Sequence, residues 1–390
     1  FNLGVIDRRS HQQMIEDEWE EEYDETWGVF HAISGFKMLE VIAQGYTFGS
    51  DSCESKLCCL GDGPDGGIFE VLARKAPALK STEYVAGDAA LYAALSLGDA
   101  SFVYEQLMAI VDQMDSYDAE GVQDAIAVLE QVLDKEMETE ILPAFGGEAA
   151  LVAWVPDGLS VPPAALMIEV KDKAAVGEMV DRVLGLLEDE SGGEIELEKD
   201  EAEGVTVTLI HGVPMVTPAV GVVGDFLVVA TDAAVIGRMV DTLHDGGTLS
   251  ETAGYKKYVA SIEGDATITL YVDTPSIAKV GLPLLRGYLE GEEGAKVFGA
   301  IEKLAGALSP AGMKVVGGQD GITITSRSDN GGLGPVGLLA GFGTLGLRAA
   351  SVEFEGDEGM IFEDDEDDED DEAVWPDDDE SDVGDDEPGA

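Results

Sequence analysis

The sequence predicts an α+β fold of meandering antiparallel sheets, with repeated strand, Asp-cap, helix units packed on one face. Three observations carry that prediction. Residues 171–181 can be laid on residues 231–241 without a gap, with Asp172/Asp232, Ala174/Ala234, Gly177/Gly237, Met179/Met239, Val180/Val240 and Asp181/Asp241 identical. Each copy follows a strand-like run, 164–170 or 226–230, and looser versions of the unit occur at 90–97 with Asp99 and at 267–272 with Asp273. An Asp at that position caps a helix, because its carboxylate accepts hydrogen bonds from the free N–H groups of the first turn. Between the units, residues 205–210, 219–223 and 226–230 are strand-like and are separated by Gly212, Pro214 and the short Gly224-Asp225 link. Links that short suit hairpins rather than crossover helices, which makes the sheets antiparallel. Helices then cover them.

From the N-terminus, Ile15, Trp19, Tyr23, Trp27, Phe30 and Ile33 recur at helical spacing while Glu16, Asp17, Glu18, Glu20, Glu21, Glu22, Asp24 and Glu25 fill the remainder. This predicts an amphipathic, core-facing helix over 11–33. An interfacial membrane helix would carry Lys and Arg on its polar face. The first residue is Phe, with no basic segment or long apolar run behind it, so a processed leader or a fragment is expected.

All three cysteines fall in Cys53-Glu-Ser-Lys-Leu-Cys58-Cys59, flanked by Gly49, Gly61, Gly63, Pro64, Gly66 and Gly67. That pattern reads as a loop stapled by a disulfide from Cys53 to Cys58 or Cys59, with buried thiols and a metal or redox site as the alternatives. A zinc site needs four N or S ligands, and no His or further Cys lies close in sequence, the nearest being His31, 22 residues before Cys53. Towards the C-terminus, 313–316 and 321–326 read as a further hairpin. Residues 331–347 are uncharged but hold seven Gly and one Pro, which is short and loose for a membrane span. The organisation expected is an α+β region over 1–140 containing the acidic helix and Cys loop, an α+β domain with the internal repeat over 141–330, a Gly-rich apolar segment over 331–352 and a disordered acidic tail over 353–390.

Charge excludes more than it identifies. The chain holds 80 Asp and Glu against 22 Lys and Arg, a net of −58. Residues 353–390 carry 22 of those acids and no base, including ten consecutive acids at 363–372, so residues 1–352 still stand at 58 against 22, or −36. Such a surface repels nucleic acid, which binds where Lys and Arg displace counterions from phosphates. It also lacks the basic clusters that attract anionic membranes. Cations or basic proteins are the expected partners, with the tail as their point of contact.

Nothing in the sequence assigns catalysis. His11, His31, His211 and His244 have no nucleophile beside them in sequence and read as structural. Two G-x-G-x-x-G matches, at 332–337 and 341–346, lack the strand and helix that a dinucleotide site requires, so no cofactor is expected. Pairs of carboxylates are inevitable among 80 acids, and a hydrolase-like site built from distant ones is the alternative to a binding protein.

Further residues carry a resemblance. Leu142-Pro-Ala-Phe-Gly-Gly-Glu148, Pro162-Pro163, Gly204-Val-Thr-Val207, Ala219-Val-Gly-Val-Val-Gly-Asp-Phe-Leu-Val-Val-Ala230, Thr248-Leu-Ser250, Tyr255 and Tyr271-Val-Asp273 together resemble the bacterial domain of unknown function DUF3352, over roughly residues 77–326. The resemblance implies an exported or envelope-associated protein with an N-terminal leader or anchoring helix, which is missing from this sequence and through which a membrane association would run. It brings no catalytic residues. The expectation is therefore a non-enzymatic, extracytoplasmic binding or structural protein, with the cytoplasm of a salt-accumulating organism as the alternative setting.

Overall fold

Antiparallel pairing joins every strand of the computed structural model, which describes residues 39–49, 52–61, 67–111, 116–156, 158, 160–288, 291–318 and 321–329. The helix expected over 11–33, the segment 331–352 and the tail 353–390 lie outside the described residues. The chain divides into Phe1–Ala340 and Gly341–Ala390, and every described residue belongs to the first unit.

Strands β1 (Leu39–Phe48) and β2 (Cys53–Gly61) form a hairpin, followed by helix α1 (Gly67–Ala73) and strand β3 (Leu91–Ser96). Helices α2 (Ala100–Val111) and α3 (Ser116–Leu133) lead into β4 (Phe145–Ala153), β5 (Ala164–Val170) and helix α4 (Lys173–Glu190). Four strands then follow directly, β6 (Glu196–Ala202), β7 (Val205–His211), β8 (Ala219–Val223) and β9 (Phe226–Ala230), before helix α5 (Ala233–Asp245). Strand β10 (Ile268–Val272), helices α6 (Thr274–Tyr288) and α7 (Gly291–Gly306), and strands β11 (Ala311–Gly318) and β12 (Gly321–Ser328) complete the described part.

The strands lie in one sheet of order β1-β2-β12-β11-β10-β3-β4-β5-β9-β8-β7-β6. At its middle, β3 pairs with β10, placing Tyr92 opposite Tyr271. On either side of that seam the connectivity matches: β3, two helices, β4 and β5 on one side, and β10, two helices, β11 and β12 on the other. The boundary expected at residue 140 is therefore not a boundary of the sheet. Strand β3, from the proposed first region, is paired on both edges by strands of the second.

The helices cover both faces, not one. Val235, Ile236, Met239 and Val240 of α5 pack with Tyr92, Val152, Met167, Val207 and Val228. Val176, Met179 and Leu184 of α4 pack with Ile210, Val220 and Leu227. Successive side chains of a strand alternate between faces, so Leu227 and Val228 look in opposite directions and β9 contributes to a core on each side, with Val229 left partly exposed. That is why β9 reads as the continuous apolar run Phe-Leu-Val-Val-Ala rather than an alternating one.

The Cys loop is also overturned. Residues 53–61 form strand β2, with Cys53 opposite Ser328 and Cys59 opposite Ile322. Five residues of extended chain separate Cys53 from Cys58 by roughly 16 Å, whereas a disulfide requires Cα atoms within about 7 Å. Cys59 packs with Ile322, Ala73, Leu57 and Leu72 in a small core beneath α1. Burial pushes its thiol above the ordinary range, with the neighbouring Cys58 adding to the shift, which makes it a poor nucleophile.

Candidate partner-binding surface

Register places a single row of apolar residues across one face: Leu270, Ala93, Leu151, Leu166, Val229 and Val220, each opposite the next. Its ends are covered. Ile277 of α6 packs against the cluster containing Leu270, and α4 packs against Val220. Between those covers Leu151, Leu166 and Val229 remain 45%, 42% and 39% exposed, against 4% for Leu270 and 7% for Val220. The three bare strands β4, β5 and β9 span about 10 Å between their outer axes, close to the width of one helix.

A second concavity of about 670 Å³ opens between α2 and α3, lined by Leu107, Gly121, Val122, Ala125, Ile126 and Leu129 with Glu120 and Asp124 at its polar positions. Helix α3 buries Leu133 in its last turn and rests Ile126 and Val132 against the core. Apolar side chains of both helices stay open: Leu107 of α2 and Val128 and Leu129 of α3 are all exposed. The acids of these two helices are Glu105, Asp118, Glu120, Asp124 and Glu130, with no Lys or Arg to balance them. Together the walls offer an apolar floor with an anionic rim.

Polar groups elsewhere are engaged in holding the fold. The buried Glu148 accepts hydrogen bonds from the Lys80 N–H at Oε2 and the Ser81 N–H at Oε1, both 2.8 Å. Lys80 Nζ lies 2.6 Å from Glu169 Oε1, whose other oxygen accepts from the Gly147 N–H. The Ser81 and Tyr92 hydroxyls share a 2.7 Å hydrogen bond beneath them. Burial, with the Glu148 charge adding to it, pushes the Tyr255 phenol up to about 12. At the far side, burial would raise Asp329, but hydrogen bonds from Lys257 and Tyr258 and the Lys257 charge outweigh it and hold the carboxyl below its usual range. Glu54 behaves alike, since Arg327 and Lys56 overcome its desolvation. The carboxylates that shift are thus held as anions, not poised as proton donors.

The remaining residues singled out in the sequence sit at helix starts. Asp172 accepts from the Ala174 and Ala175 N–H groups at 3.0 Å, and Asp232 from Val235 at 3.0 Å. Asp99 accepts from Ser101 at 3.1 Å and Asp273 from Ser276 at 3.4 Å, with the Ser276 hydroxyl also donating to Asp273. None of these carboxylates lines the groove. What the sequence reading missed is the groove itself, whose only trace is Val122, Ala125, Ile126 and Leu129 at helical spacing.

An antiparallel α+β protein with helices on both faces and an open apolar groove is what the fold and surface define. Residues 126–293 match the family model described as "Protein of unknown function (DUF3352)", so the chain contains a DUF3352 domain. The matched span runs from within α3 to the start of α7. Among solved structures, crystal form I of TP0453 is similar at 12% identity, covering 67% of this chain and 84% of that one with a TM-score of 0.30. Crystal form III of TP0453 aligns at 12% identity over 65% and 82%, again with a TM-score of 0.30. No curated relative matches the chain.

Proposed function

We propose that this is a non-enzymatic binding protein of the cell envelope or extracytoplasmic space, taking basic amphipathic partners in the groove between α2 and α3. The observation that carries the reading is the pairing of an exposed apolar wall, Leu107 and Leu129, with Glu120 and Asp124 on helices that lack any cation. Apolar contact supplies the affinity that high salt leaves intact, and the acidic rim supplies on-rate and selection against acidic competitors. The acids of 353–390 extend the same selection, gathering cations or basic segments near the body. Repetition of the strand, Asp-cap, helix unit belongs to this reading as the scaffold that sets the groove at one side of the sheet.

A synthetic Leu/Lys amphipathic peptide tests it by calorimetry. Leu107→Ser with Leu129→Ser keeps every charge and is expected to weaken binding about tenfold, the loss of roughly 1.4 kcal/mol of apolar contact. A chain ending at residue 352 is expected to bind more weakly at low salt and equally at high salt. Equal affinity of the double variant and the wild type would remove the groove from the proposal, and retention of full low-salt affinity by the truncated chain would remove the tail.

A further inference from the structure

The two edges of the sheet are unlike. Edge strand β6 reads Glu-Leu-Glu-Lys-Asp-Glu-Ala and is exposed along most of its length, a row of charge that repels another strand. Edge strand β1 reads Leu-Glu-Val-Ile-Ala-Gln-Gly-Tyr-Thr-Phe, longer by three residues, with Glu40 as its sole charge and no Pro. Tyr46 is 42% exposed and Phe48 73%, their rings stacked 6.4 Å apart on the same face. Gln44 Nε2 donates to the Tyr46 hydroxyl at 2.7 Å on that face as well. Among the described residues β1 is paired on one side alone, by β2. A strand of this kind leaves a row of backbone N–H and C=O groups open, the usual template for adding a strand.

We propose that β1 pairs antiparallel with β1 of a second copy of this chain, about a two-fold axis at Gln44. Charge selects that occupant. A basic partner gains nothing at a strand whose one acid is near its end, and it has β6 and the rest of the anionic surface to choose instead. A second copy brings the same neutral strand. With Gln44 on the axis, position 40 of one copy lies opposite position 48 of the other. The two Glu40 positions then stand eight residues apart along the ladder, about 27 Å, well beyond the roughly 8 Å screening length at physiological salt. The pairing is isologous, so each copy offers the same surface. The stacked Tyr46 and Phe48 rings lose their exposure to cross-strand contact.

Sedimentation of the full chain from micromolar to millimolar concentration tests the proposal. A monomer–dimer equilibrium is expected, tightening as added salt screens the repulsion between two copies of net charge −58. Tyr46→Lys and Thr47→Lys, at exposed positions on opposite faces, are each expected to weaken the dimer about tenfold or more while leaving the thermal midpoint unchanged. Gln44→Cys is expected to cross-link two copies under mild oxidation, and Glu198→Cys, on the other edge, is not. A chain that stays monomeric throughout, or a dimer indifferent to both lysines, overturns the proposal. So does a chain lacking residues 1–38 that dimerises where the full chain does not, since its own N-terminus would then cover the edge.

Discussion

Glu148 shows how much one side chain can hold. It is a buried acid whose two oxygens satisfy the N–H groups of Lys80 and Ser81, tying the chain before β3 to strand β4. Glu148→Ala leaves the buried Ser81 donor and the part-buried Lys80 donor unpaired, and at about 1–3 kcal/mol for each the variant should lose roughly 2–6 kcal/mol in urea unfolding. Asp329 and Glu54 set a second, pH-dependent contribution. Both bind a proton less readily folded than unfolded, so their stabilisation is complete above the ordinary carboxylate range, about pH 4, and is lost as pH falls through their folded values. Asp329→Asn should therefore destabilise the protein at neutral pH and flatten the acid limb of its stability curve relative to wild type. Glu148 was not legible in the sequence, because its partners lie 67 and 68 residues away and nothing local marks a Glu in a strand as buried.

At the scale of elements, the caps and turns give the sharpest expectations. Removing the Asp172 or Asp232 carboxylate by Ala frees first-turn N–H groups of α4 or α5 and should cost about 1 kcal/mol each. The β6–β7 hairpin turns on Glu203 and Gly204, both at positive φ, 48° and 83°. Glycine tolerates that region and Glu does not, so Glu203→Asn should stabilise by about 0.5–1 kcal/mol, read as a higher urea midpoint. At Gly312 a Cβ would meet the Tyr258 carbonyl, which lets the turn at 256–260 rest directly on β11. Gly312→Ala should cost about 1–3 kcal/mol by forcing the two apart. Elements with a local signature were readable from sequence: the alternating β7, the short Gly224-Asp225 hairpin and the runs leading into α4 and α5. Strand β2 was not, since flanking glycines and three cysteines have the look of a loop. Its pairing with β12 joins positions more than 260 residues apart, and only that partner makes Cys59 and Leu57 core residues.

For the molecule as a whole, net charge opposes compaction. At −58, added NaCl should raise the thermal midpoint of the full chain until screening is complete, and a midpoint that falls over the same range would mean that ion pairs outweigh self-repulsion. The antiparallel α+β class was legible because hairpins and caps are local. The union of all strands in one sheet was not, because strand order depends on pairings across the whole chain. The groove between α2 and α3 was half legible: its stripe has helical period, yet the same stripe would serve a buried helix, and only the position of α2 decides that it stays open. The β3–β10 seam carries a consequence for how such a chain is made. During synthesis β3 can acquire β4, and then β5 and β9 beyond it, long before residues 268–272 leave the ribosome. Until they do, β3 is a naked edge in mid-molecule, and the sheet closes across its centre only late, shortly before β12 joins β11 to β2. Pulsed hydrogen exchange should find the β3 amides that face β10 protected after those that face β4, and this interval is when the nascent chain most needs a chaperone.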